Sequence, residues 1–113
     1  MADVSKRLGF GVMNIAGGGG GVYTVPSGKK TFIKSMTICN ITSVEGKFSV
    51  SIYPHVSGGI SYNLVSDYLL KGNDTITIPF LDQILEEEDV LAIYKSNSTS
   101  YFNFYVSGRE VDV

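Results

Sequence analysis

In four segments of this chain, Lys47 to Tyr53, Asp74 to Ile78, Val90 to Tyr94 and Tyr101 to Val106, apolar and polar residues alternate with period two, and each is closed by a turn signal. Alternation at that period suits a β-strand with one buried and one solvated face. The cleanest stretch sends Phe48, Val50 and Ile52 one way and Lys47, Ser49, Ser51 and Tyr53 the other. No long helical period interrupts the pattern, and turn residues recur at the spacing of all-β sandwiches. The expected fold is all-β: a single antiparallel β-sandwich of about seven or eight strands, jelly-roll or Greek-key, with a flexible N-terminal arm.

The arm is read from residues 1–21 and the sandwich from residues 22–113. Leu8, Phe10, Val12 and Ile15 alternate loosely, broken by Gly9 and Gly11, and Gly17 to Gly21 is an uninterrupted glycine run that acts as a hinge. A phosphate loop needs Lys and Ser/Thr at fixed spacing before a helix, whereas Val22 to Val25 continue as a strand. Pro26, Ser27 and Gly28 form a turn into Thr31 to Ile41, whose apolar residues on both sides suit the middle of a sheet. Pro54 to Gly59 is a loop rich in breakers, and Tyr62 to Leu70 is a strand or an irregular crossing. Pro79 is expected to end the strand around Ile76 and Ile78, with Leu81 to Leu85 forming one helical turn before the acidic run. A hairpin around Asn97, Ser98 and Thr99 leads into the last strand.

At 113 residues the chain suits one domain with one core. Its 43% hydrophobic and 18% charged residues suit a folded body. The net charge of −2 and the scattered Lys and Arg residues lack the dense patch that phosphate neutralisation needs, so no nucleic acid is expected as a partner. No stretch reads as a signal peptide or a membrane span, so no membrane partner is expected. Cys39 stands alone and is read as a buried core thiol, with no internal disulfide. The sequons at Asn40, Asn73 and Asn97 are read as turn and strand-end residues.

Chemistry finds few footholds. His55 is the single histidine and sits in a breaker-rich loop as an exposed turn residue, so nucleophilic triads and structural zinc lack partners. Glu86, Glu87, Glu88 and Asp89 lack the alternate spacing and turn glycine of a calcium loop and read as a solvated loop. No catalytic, metal-binding or cofactor-binding residues are assigned, no cofactor is expected, and the chain is read as a non-enzyme. The candidate interaction residues are Leu8, Phe10, Val12 and Ile15 of the arm and the outward Tyr53, Tyr101 and Tyr105. Tyrosines of this kind serve protein interfaces, sugar platforms or cross-strand packing. The arm is expected to reach across the glycines to a neighbouring copy. A carbohydrate-binding module contacting host surface glycans through its tyrosines is the competing reading.

The string Tyr23, Thr24, Val25, Pro26, Ser27, Gly28, Lys29, Lys30, with Ile33 to Asn40 after it, resembles the opening of small virion proteins of tailed bacteriophages, where a VPxGK turn leads into an IKSxxxCN strand. Leu70, Lys71 and Gly72, then Leu85 to Leu91, then Val106, Ser107 and Gly108 follow the same layout, so that the resemblance spans roughly residues 22–108. One departure is visible: Glu87 and Glu88 precede Asp89 where a glycine is common. The resemblance implies a non-enzymatic structural subunit of the virion, assembled in the host cytoplasm. Its implied role is a capsid decoration or cement protein, with tail or neck attachment as the nearest competitor. The implied partners are further copies of itself, often as trimers, and other virion proteins such as the major capsid protein.

Overall fold

The computed structural model describes residues 3–15, 21–57, 60–96 and 101–113. Nine strands follow in chain order: β1 (Asp3–Val12), β2 (Asn14–Ile15), β3 (Gly21–Thr24), β4 (Lys29–Asn40), β5 (Gly46–Tyr53), β6 (Tyr62–Leu70), β7 (Thr75–Leu85), β8 (Val90–Lys95) and β9 (Phe102–Asp112). A single 3₁₀ turn, His55–Ser57, is the one helical element among the described residues. The strands form two sheets. The first has the order β1-β9-β4-β7, and the second β2-β8-β5-β6 with β3 also paired to β8. Every pair is antiparallel except the short β2–β8 match.

The core lies between the sheets. Ile33, Met36 and Ile38 of β4 and Phe102, Phe104 and Val106 of β9 face Phe48, Val50 and Ile52 of β5 and Leu91 and Ile93 of β8. Phe48 and Phe102 meet edge to face at 6.0 Å and 89°, the geometry that ring quadrupoles favour. Burying each such large side chain contributes about 1.5–3 kcal/mol.

Residues 3–12, expected within the arm, lie along β9 of the same chain, from Asp3 opposite Val111 to Val12 opposite Asn103. Leu8 and Met13 are buried in the core, and Asn14 and Ile15 cross to the second sheet opposite Tyr94 and Lys95. Of the glycine run, Gly21 opens β3, and the preceding four glycines lie outside the described residues.

Five expectations are corrected. Pro79 does not end its strand: β7 is an edge strand paired only with β4, so the missing N–H removes no bond to a second neighbour, and a register shift lies opposite it between Ile33 and Ser35. Residues 81–85 therefore continue β7 rather than forming a helical turn. β8 and β9 are not a hairpin, because β8 belongs to the second sheet and β9 to the first. Cys39 is not a core thiol: Ile38 and Asn40 on either side are buried, and the alternation turns Cys39 to the outer face, where it is half-buried. Ser49 and Ser51, expected on a wet face, are also buried. Ser49 Oγ accepts the Asp67 N–H at 2.9 Å, and Ser51 Oγ donates to Asn63 Oδ1 at 2.6 Å. Tyr62–Leu70 resolves as a strand, and the expected long strand from Thr31 falls within the central strand β4, which begins at Lys29 and ends at Asn40, between β9 and β7.

Candidate interaction surface

The outer face of the first sheet is built in rows. Phe10, Tyr105, Thr37 and Thr77 stand opposite one another across β1, β9, β4 and β7. Val12, Asn103, Cys39 and Thr75 form the next row, and Arg7, Ser107, Ser35 and Pro79 the row on the other side. The hydroxyls bond along these rows, Ser35 Oγ to Ser107 Oγ at 3.1 Å and Thr37 Oγ1 to Thr77 Oγ1 at 3.4 Å. Phe10 is 61% exposed, Val12 58% and Tyr105 49%. Phe10 and Tyr105 lie 6.5 Å apart at 40°, and the Arg7 guanidinium caps Phe10 at 4.2 Å. Beside them is a shallow, mostly apolar hollow of about 400 Å³, lined by Phe10, Val12, Thr37, Cys39, Asn103 and Tyr105. Further along the face, Arg109 lies 4.3 Å over the Phe32 ring.

The seven candidate residues divide. Phe10, Val12 and Tyr105 come together on this face. Tyr101 is four residues before Tyr105 on the same side, with Lys95 Nζ 4.7 Å over its ring. Tyr53 is exposed but closes β5 opposite Val90 in the other sheet, so the three tyrosines make no common platform. Leu8 belongs to the core. Ile15 pairs in β2 with Lys95, and its side chain lies outside the described residues.

The reason is a bulge. Strict alternation puts Leu8, Phe10 and Val12 on one side, but the register shifts between Arg7 and Gly9. Leu8 then enters the core while Phe10 and Val12 face out, and Arg7 joins Phe10 although strict alternation would put positions 7 and 10 on opposite sides. Gly108 makes room for this. A Cβ there would stand 2.3 Å from the Phe32 carbonyl oxygen and 2.8 Å from Leu8 Cδ1. Arg7, Thr37, Cys39 and Asn103 were not legible as members of the surface, because their placement depends on which strands are neighbours. The glycines at positions 9 and 11 were the local sign of an irregular strand.

The polar interior is clustered at the other end of the sheet. Buried Glu110 accepts from the Tyr23 hydroxyl and from Lys6 Nζ at 3.4 Å, and Tyr23 also bonds Thr31 Oγ1 at 2.7 Å. Burial, and then the Glu110 carboxylate, push the Tyr23 phenol well above its ordinary value. Asp89 is the buried member of the acidic run. Its carboxylate accepts the N–H groups of His55 and Glu86, both at 2.9 Å, tying the β7–β8 turn to the loop after β5. Glu86, Glu87 and Glu88 are exposed. Among the described residues, no three His, Cys, Asp or Glu side chains are grouped to hold a metal ion.

No family model matches the chain, and no curated protein matches it. The fold is similar to that of a chain in the structure of infectious bursal disease virus, Gx strain, with a TM-score of 0.53 and 11% identity over 96% of this chain and 32% of that one. A chain from the Gt strain of the same virus has a TM-score of 0.47 and 8% identity over 96% of this chain and 31% of that one. This chain thus spans about a third of the length of the viral chains it matches, and its likeness to the Gx-strain chain is one of fold.

Proposed function

We propose that this chain is a non-enzymatic structural subunit of a virus particle that associates with copies of itself. The observation that carries the reading is the outer face of the first sheet, where Phe10, Val12 and Tyr105 lie exposed around an apolar hollow. Exposed aromatic residues clustered in this way, with an arginine beside them, have the composition of an interface core. The viral fold neighbour supports a place in the virion, and so does the strand order. Leaving the two-residue β2 aside and taking β3, which pairs β8 antiparallel, as the second strand, the sheets run 1-8-3-6 and 2-7-4-5, which we read as a jelly roll.

In the finer form of the proposal, the particle is a tailed bacteriophage, assembled in the host cytoplasm. The subunit decorates the capsid as a homo-oligomer bound to the major capsid protein, with tail or neck attachment as the alternative. Residues 1–21 then act as an arm that wraps one edge of the body formed by 22–113, adding β1 to one sheet and β2 to the other.

Light scattering after size exclusion of the full-length protein tests the reading, and a closed oligomer, a trimer in the finer form, is the expected result. A monomer at all concentrations that is retained on immobilised glycan would instead favour the carbohydrate-binding reading. That reading is favoured by Tyr105, whose ring shares the hollow with the Asn103 amide and the Thr37 hydroxyl.

A further inference from the structure

The hollow on the first sheet has a counterpart on the same molecule. Val56, on the 3₁₀ turn after β5, is 94% exposed and stands out as an apolar knob. Ile60 and Tyr62, which lead into β6, are 60% and 58% exposed. The knob is positioned rather than loose at its root, since the His55 N–H donates to the buried Asp89 carboxylate at 2.9 Å and Tyr62 opens β6 opposite Ile52.

Knob and hollow lie at opposite ends and on opposite sheets. The hollow is at the Asn40 and Phe102 end of the first sheet, where Val12, Asn103 and Cys39 share a row. The knob is at the Val90 end of the second sheet, where Tyr53 pairs with Val90. In a molecule 45 Å long, a knob so placed does not reach the hollow of its own chain. Charge follows the same arrangement. Exposed Glu86 and Glu88 flank the knob through the Asp89 link, and Arg7 borders the hollow by lying over Phe10.

We propose that the knob of one copy seats in the hollow of the next, with the acidic turn set against Arg7. The inference rests on the self-association reading and specifies its geometry. The contact joins two different patches, so it is head to tail, and repeated copies close into a ring when the rotation permits. Val56 is the anchor, a fully exposed apolar side chain that gains a desolvated pocket.

The native thiol in the hollow provides the test. In full-length protein carrying Val56→Cys, an exposed position whose change leaves the core alone, mild oxidation should link Cys39 of one copy to the introduced thiol of another. A disulfide needs Cβ atoms about 3.5–4.5 Å apart, so the link reports direct contact. Non-reducing electrophoresis should show a ladder rather than a dimer alone, because each chain carries both partners. Peptide mapping should recover the mixed pair, and Cys39→Ser in the same background should abolish the ladder. Links only between like thiols, or no link in a protein that light scattering shows to be oligomeric, would overturn the knob-in-hollow contact and leave self-association standing. A monomer without links would overturn both.

Discussion

Glu88 adopts φ 66, in the left-handed region, which costs an L residue with a Cβ about 1–2 kcal/mol. Its N–H bonds the Val25 carbonyl at 3.0 Å, so the turn holds that conformation regardless of side chain. Glu88→Gly is therefore expected to raise stability by about 0.5–1 kcal/mol, the relief of strain being partly offset by the entropy of a more flexible unfolded chain. Thermal and urea unfolding would check it, and a loss of stability would refute it. The sequence showed that this turn lacks a glycine, but the positive φ at Glu88 emerged only from the structure. Tyr23 supplies the pH dependence. Its folded-state value lies above the ordinary phenol value of about 10, because burial and then Glu110 disfavour the phenolate. Above pH 10 the unfolded chain loses this proton while the folded chain keeps it, so stability falls as pH rises. Tyr23→Phe should flatten that alkaline fall while costing about 1 kcal/mol at pH 7 through the lost hydrogen bonds. An equally steep fall in the variant, followed by denaturant unfolding from pH 8 to 11, would show that the group does not contribute. Lys29 shifts in the same direction through Asp112, so the comparison with the parent protein isolates the tyrosine.

Individual strands were more legible than their extents. Alternation located β5, β8 and the first half of β9 closely, since each places apolar residues on one side at every second position: Phe48, Val50 and Ile52; Leu91 and Ile93; Phe102, Phe104 and Val106. It failed at Pro79 and along 81–85, because a proline's effect depends on whether its strand has a second neighbour, which no local pattern records. The first segment shows the same limit. Residues 3–15 join both sheets and place Leu8 and Met13 between them. Deleting residues 1–16 should therefore lower stability by at least about 4 kcal/mol, counting two large core side chains at about 2–5 kcal/mol each. That is a large share of the stability of a small domain. Circular dichroism melts of the truncated and full-length proteins would check it, and an unchanged melting temperature would mean that the segment is not part of the core.

At the scale of the molecule, the fold class followed from strand count and turn spacing, while the sheet order did not. Nothing local in Val90 to Lys95 or Phe102 to Asp112 reveals that the two strands lie in different sheets. The interaction surface inherits that limit. Tyr105 was identified from the outward side of one strand, but its company with Phe10, Thr37 and Cys39 exists only because β9 lies between β1 and β4. The pairing of β1 with β9 also has a bearing on biogenesis. Asp3 meets Val111, so β1 is synthesised before the other described strands and waits for β9, which follows all of them, before its main chain is paired. Such distant closure is slow, and until it happens the chain exposes the main chain of an unpaired edge and the apolar seat of Leu8. A nascent or broken chain thus betrays its own incompleteness to chaperones and proteases, and a sealed β1 certifies that synthesis has passed β9.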